Sequence, residues 1–208
     1  MSAPPRQVVA AFDFDGTVTY HDTLSVFLRQ IAAPWRLALN TLRLAPTLFG
    51  YALRLIPNGA AKERVLHRFL AGMPQEALTR EGERFARERI PALLRPQAMM
   101  RLAWHRRQGH RCIVVSASIE DYVAPWARAA GFDAVIATRL ARDDNGCITG
   151  YYDGGNCYGS EKARRLQALL GEAGVELYAY GDSRGDREML AMADHAYYRE
   201  MPGEGDGG

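Results

Sequence analysis

Two aspartates, Asp13 and Asp15, close an apolar run that begins at Val8, and Gly16-Thr17 follows them. In a strand, residues i and i+2 share a face, so both carboxyls would leave the strand's end on the same side. Gly16 lets the chain turn where a side chain would clash. Two carboxylates held this close repel each other unless a cation intervenes, and oxygen donors of this kind suit Mg²⁺. Other apolar runs end in a similar way. Residues 111–115 lead into Ser116-Ala117-Ser118, and residues 176–180 lead into Gly181-Asp182, with Asp186 four residues on. Lys162 stands near a helix start between them. Carboxylates suit nucleophilic attack and proton transfer, while a lysine and hydroxyls suit the holding of an anion.

Placing these groups together needs parallel strands that end on one side. From residue 110 onward the chain reads that way. The spacing predicts a strand at 111–118, a helix at 120–130 delayed or kinked by Pro125, and a strand at 133–138. A hairpin turn at Asp143-Asp144-Asn145-Gly146 precedes a return strand at 148–152. A helix from Ser160 to Leu170, a strand at 176–180, a helix at 187–193 and a strand at 195–199 follow. This alternation argues a doubly wound parallel sheet with ligands at the strands' carboxyl ends. Residues 20–92 instead show helical periodicity throughout. Asp22-Thr23 suits a helix start, Pro34 and Pro46 break or kink the next stretch, and Asn58-Gly59 ends it. Further helices are expected at 61–70, 75–90 and 91–108. An all-helical insert in an α/β chain is the pattern of a cap or lid.

The chain has 208 residues, 48% hydrophobic and 24% charged, which suits one core plus an insert. A net charge of +2 is too small to argue for nucleic acid. Its three cysteines form no CxxC pair, so neither a disulfide framework nor a zinc site is indicated, and Cys112 reads as core. Residues 1–6 lack the apolar centre of a signal peptide, and no apolar run is long enough to span a bilayer, so a cytoplasmic protein is expected. The tail, 202–208, is expected to be disordered. Residues 23–62 contain no acid, only Arg29, Arg36, Arg43, Arg54 and Lys62 as cations. Two readings compete: helices that pack their apolar side on the core, which is the commoner case, or a basic amphipathic surface that rests on anionic membrane.

In this order and on these elements, Asp13-Phe14-Asp15-Gly16-Thr17, Ser116, Lys162 and the Asp182/Asp186 pair resemble the four motifs of the haloacid dehalogenase (HAD) superfamily. The helical insert after the first motif resembles the C1 cap position of this superfamily and, within it, subfamily IB, the phosphoserine-phosphatase-like branch; the stretches 116–118, 137–140 and 155–162 are similar to bacterial hydrolases of that branch. The resemblance implies an α/β fold, a HAD-like Rossmannoid doubly wound parallel sheet with a small all-helical C1 cap inserted after the first strand. The core would comprise residues 1–19 and 93–201, and the cap residues 20–92. It also implies Mg²⁺-dependent hydrolysis of phosphomonoesters, with Asp13 as nucleophile, an aspartyl phosphate on it, and Asp15 as general acid and base. Crowding by Asp13 would raise the Asp15 pKa, and a nearby metal would lower it. Mg²⁺ would sit among Asp13, the Asp15 backbone carbonyl, Asp182 and Asp186. Thr17, Ser116, Ala117 and Lys162 would hold phosphate, and Asp22 would help choose the substrate, a small phosphorylated metabolite.

Asp15 matters to the reaction type, because an alkoxide leaving group needs a proton donor. Ser-Ala-Ser at 116–118, Gly-Asp-Ser-Arg-Gly-Asp at 181–186 and Asp22 depart from the phosphoserine phosphatase pattern and argue against phosphoserine as substrate. Ser118, Asn156 and Arg184 read either as lining the site mouth or as plain loop residues, and His21 and His110 as surface or packing residues. One alternative is a membrane-peripheral lipid-phosphate phosphatase of the phosphatidylglycerophosphate type, motivated by residues 23–62. Another is a non-catalytic phosphate-binding or scaffold protein, against which the intact Asp13/Asp15 pair argues.

Overall fold

Strand β1 (Val8–Phe12) alternates between two buried clusters, with Ala10 and Phe12 on one face of the sheet and Val9 and Ala11 on the other. A strand apolar on both faces needs cover on both sides. In the computed structural model, which describes residues 6–171 and 174–203, β1 lies centrally and pairs in parallel with β2 (Arg111–Ile119) and β5 (Glu176–Gly181). Beyond β2 lies parallel β3 (Ala134–Arg142), then antiparallel β4 (Ile148–Asp153). Beyond β5 lies β6 (His195–Tyr198), so the order is β4-β3-β2-β1-β5-β6. The chain leaves β1 in opposite directions on its two sides, which puts a crevice at the carboxyl end of β1.

Between β1 and β2 run α1 (Thr23–Ile31), α2 (Pro34–Ala52), α3 (Asn58–Leu70), α4 (Gln75–Glu88) and α5 (Pro96–Arg107). Helices α6 (Glu120–Ala130), α7 (Ser160–Leu170) and α8 (Arg187–Ala191) complete the described set. Leu166 of α7 and Met189 of α8 cover one face of the sheet. Leu102 of α5 and Tyr122, Val123 and Trp126 of α6 cover the other. That second cluster continues into Phe27, Leu66, Leu70, Leu78 and Phe85, so α1, α3 and α4 share a core with the sheet. The end of β4 braces α3, because the Tyr152 hydroxyl donates to Gly59 O at 2.9 Å and the Tyr152 amide to Glu63 at 3.1 Å. Gly150, at φ 81°, lies so close to the His67 backbone that a Cβ would overlap it.

Several local expectations change. Asn58-Gly59 opens α3 rather than ending α2, which stops at Ala52, while extended Pro57 precedes the new helix. Pro34 starts α2, where its missing N–H is an orphan anyway, and Pro46 sits inside the helix without ending it. Pro125 neither delays nor breaks α6, which begins at Glu120 and is pinned by buried Tyr122, Val123 and Trp126 on either side of the lost bond. The helix expected at 91–108 divides into a 3₁₀ turn, Ile90–Leu93, and α5, with Pro96 at its start. Packing of residues 23–62 on the core holds for α1, which buries Thr23, Leu24, Phe27 and Leu28. It does not hold for α2, which buries only Leu44. Among the described residues no helix is long and apolar enough to cross a membrane. Of the tail expected to be disordered, residues 204–208 lie outside the described residues, as do residues 1–5.

Candidate active site

The carboxyl ends of β1 and β5 meet where the Asp13 amide donates to Tyr180 O at 2.9 Å. Lys162, in the first turn of α7, projects between Asp13 and Asp186, and its Nζ donates to Oδ1 of both, to Asp186 at 2.6 Å. All three side chains are almost completely buried. The second oxygen of Asp186 is also taken. It accepts from the Ser183 amide at 2.9 Å, the Ser183 hydroxyl at 2.8 Å and the Asp182 amide at 3.2 Å. Asp186 therefore ties α7 to the loop after β5. Asp182 differs: its Oδ1 is buried and has no partner among the described residues. Gly16, at φ 84°, leaves room for that carboxylate, which a Cβ there would overlap.

Asp13, Asp182 and Asp186 each offer an oxygen within 4.8 Å of the others. Three carboxylates against one lysine leave excess negative charge, and the unpartnered Asp182 oxygen faces it. This all-oxygen set fits a hard divalent cation such as Mg²⁺. The charge balance also appears in the titration of these groups. Burial raises the Asp13 pKa to about 7, with Lys162 opposing and Asp186 adding to the shift. Burial works against the Lys162 ammonium, but Asp13 and Asp186 outweigh it and its pKa rises. Burial and then Asp186 raise Asp182.

Asp15 has different surroundings. Its Oδ1 accepts from the Thr23 amide at 2.7 Å and the Thr23 hydroxyl at 2.6 Å, and its Oδ2 accepts from the Ser118 hydroxyl. The Tyr122 hydroxyl lies 2.8 Å from Ser118 Oγ and 3.1 Å from Thr23 Oγ1, closing a network across β1, α1, β2 and α6. The Asp15 pKa is raised, but chiefly by burial and then by Asp22, while Ser118 and Thr23 pull it down. The crowding between the two acids shows on Asp13, where Asp15 adds to the rise. Ser118 is no plain loop residue: it lies in β2 and bonds Asp15.

Ser116-Ala117-Ser118 occupies an irregularity in the β2–β3 register, so this stretch leaves the ladder at the site. Ser116 is fully buried, and its Oγ accepts from the Ser118 amide at 2.9 Å, which leaves its own proton uncommitted. Thr17 Oγ1 is buried without a partner among the described residues. Asp22 caps α1, accepting from the Ser25 amide at 3.0 Å, and also lines the cavity. Asn156 bonds the Thr138 hydroxyl at 3.1 Å.

The cavity is about 640 Å³ and is lined by Asp13, Asp15, Asp22, Ala117, Lys162 and Asp182. Ser116 and Thr17, both buried, are not part of this lining. A cleft of about 690 Å³ between α4, α6 and β3 contains none of the converging acids. Across from the acids the walls are apolar, with Leu24, Leu28, Leu48, Tyr51 and Val65. One cation comes from that side: Lys62 on α3, whose Nζ donates to Ala117 O at 2.7 Å. Burial lowers its pKa, with Asp15 and Asp22 opposing. Sequence reading placed Lys62 only at the end of a basic stretch, and it passed over Thr23 and Tyr122 as partners of Asp15. Ser118 carried a usable signal, since it stands two residues from Ser116 in a strand.

A family model described as haloacid dehalogenase-like hydrolase matches residues 10–191. Protein CicA of Caulobacter vibrioides is 39% identical over 197 residues, 95% of this chain and 88% of its own. A protein of Mycobacterium tuberculosis named a probable phosphatase is 29% identical over 207 residues, 94% of this chain and 69% of its own. A phosphoserine phosphatase solved as a phospho-aspartyl intermediate analogue has the same fold, with a TM-score of 0.63 at 18% identity over 91% of this chain and 84% of its own.

Proposed function

Because the chain belongs to the haloacid dehalogenase-like hydrolase family and is a phosphatase, we propose that it hydrolyses a small phosphomonoester through an aspartyl phosphate on Asp13, with Mg²⁺ as cofactor. The observation that carries this reading is the buried Asp13–Lys162–Asp186 chain beside the unpartnered Asp182 oxygen. Mg²⁺ would be held by Asp13, Asp182 and the Asp15 backbone carbonyl, with Asp186 behind them, and would supply the positive charge that lets a phosphate approach three carboxylates.

Lys162 occupies Oδ1 of Asp13, so the other oxygen attacks phosphorus. The ester P–O bond breaks, and Asp15 gives its proton to the departing oxygen. Asp15 then takes a proton from water as that water attacks phosphorus, and the Asp13–phosphate bond breaks to release inorganic phosphate. Thr23, Ser118 and Tyr122 hold Asp15 in place through both transfers. Lys162, Thr17, the Ser116 hydroxyl and the backbone at Ala117 offset the charge on the phosphate oxygens. Residues 20–92 act as the cap over a core of residues 1–19 and 93–201, and Asp22 and Lys62 meet the part of the substrate beyond the phosphate.

Turnover of para-nitrophenyl phosphate tests this reading. Activity is expected with Mg²⁺, is lost in EDTA and returns when Mg²⁺ is restored. Asp13→Asn is expected to lose at least about 10³-fold in kcat. Wild-type turnover by Asp13→Asn rejects the mechanism.

A further inference from the structure

Helix α2 is the most apolar long element outside the sheet and also the least buried. Trp35, Leu39, Leu42, Pro46, Phe49 and Leu53 recur at alternating steps of four and three residues, which puts them on one side of a helix. That side faces away from the protein. Trp35 is 68% exposed, Leu42 72% and Phe49 66%, whereas Leu44, on the opposite side, is buried. The exposed apolar surface continues past the helix end through Leu53 and Leu55. Arg36 and Arg43, seven residues apart, run along one edge of the apolar arc, and Arg54 stands in the turn beyond it. Residues 23–62 contain no acid to pair with these arginines.

From this arrangement we infer that α2 is a bilayer-docking helix: it lies in the plane of an anionic membrane, with the arc from Trp35 to Leu53 in the headgroup–acyl boundary and the arginines at the level of the lipid phosphates. A contiguous exposed apolar patch marks an interaction surface. An arginine edge and aromatic residues on the apolar side suit a lipid interface. Anionic lipid also satisfies the charge, since each arginine near the surface contributes attraction that short side-chain reach is enough to collect. A second copy of the chain fits less well, because a shared α2 face would bring the arginine edges together with no acid in this stretch to pair with them. Docking also has a consequence for access. Leu48 and Tyr51, on the same side of the helix as Leu44, line the catalytic cavity, so α2 forms the wall between that cavity and the docked membrane.

This inference is independent of the Asp13 chemistry, and the test keeps the two apart. The full chain is floated with vesicles of phosphatidylcholine alone or of phosphatidylcholine with phosphatidylglycerol, at low and at high salt. Flotation with the anionic vesicles at low salt is expected, and little with the neutral ones. Leu42→Glu/Phe49→Glu is expected to abolish it. Arg36→Glu/Arg43→Glu is expected to weaken it by at least roughly 30-fold in apparent affinity. Both variants are expected to keep wild-type turnover of para-nitrophenyl phosphate, and Asp13→Asn is expected to float like wild type. The inference is overturned if the wild-type chain stays off anionic vesicles at low salt, or if Leu42→Glu/Phe49→Glu floats as well as wild type. It is also overturned if that double variant only converts a dimer, seen by light scattering, into a monomer.

Discussion

Helix α4 is rich in Arg and Glu, yet Leu78, Gly82, Phe85 and Ala86 along it are buried against the core. Helix α2 carries only Arg36 and Arg43 as charges, yet it buries Leu44 alone. Both belong to the helical insert, and both show helical spacing of apolar residues. In α4 the apolar stripe meets Phe27 and Tyr122, with ring centroids 5.3 Å and 5.1 Å from that of Phe85. In α2 the larger stripe is exposed. Apolar content therefore does not set burial here; the presence of a facing surface does. The cavity repeats the contrast on a smaller scale. Its floor holds Lys162 paired with buried Asp13 and Asp186, and its far wall is apolar and carries a second cation, Lys62.

Substitutions on the two sides should differ most in activity. Asp15→Asn is expected to lower kcat by about 10²–10⁴ on an alkyl phosphate, because the leaving oxygen then departs without a proton. On para-nitrophenyl phosphate, whose leaving group needs less help, the first half-reaction should suffer at least about tenfold less, measured as the phenol burst in single turnover. Equal losses on the two substrates would remove the proton-donor role from Asp15.

Stability should separate the two helices. Phe85→Ala leaves a cavity among Phe27 and Tyr122 and is expected to cost about 3–5 kcal/mol. Phe49→Ala on α2 is expected to change stability by less than about 0.5 kcal/mol. Urea unfolding of both variants checks the pair, and a large cost for Phe49→Ala would mean that α2 is held by the core after all.

A smaller effect comes from pH. His105 Nε2 lies 2.8 Å from the Tyr180 hydroxyl, and its Nδ1 lies 2.8 Å from His110 Nδ1. Burial, then Arg101 and His110, pull the His105 pKa down to about 3. In the unfolded chain its ordinary value is near 6.5. As pH falls through that value the unfolded state takes up a proton that the folded state refuses, so stability is lost toward pH 3. Between pH 7 and 5 this contributes roughly 1–2 kcal/mol, and His105→Gln should flatten the slope of urea midpoint against pH by that amount. Helix α2, whose only charges are arginines, contributes no slope in this range.

What the sequence made legible was local. The end of β1 could be read because Asp13, Asp15 and Gly16 are neighbours whose spacing already implies a shared face and a turn. The sheet could be read from apolar runs alternating with helical stretches. The partners of Asp15 could not, since Thr23, Ser118 and Tyr122 come from three elements whose meeting depends on packing. Ser183 as a clamp on Asp186 was readable but passed over, since the two stand three residues apart as in a capping box. Lys62 reaches Ala117 from α3, a helix braced by β4 far along the chain. The exposure of α2 was hidden because a 3.6-residue period reports which residues share a face and says nothing of what that face meets.

The account rests on Asp13 as the residue that carries phosphate. Borohydride added during steady turnover reduces an acyl phosphate, and mass spectrometry then locates the reduced residue. The prediction is homoserine at position 13, present with substrate and absent without it. Homoserine at another acid, or none at position 13 while phosphate is still being released, would contradict it.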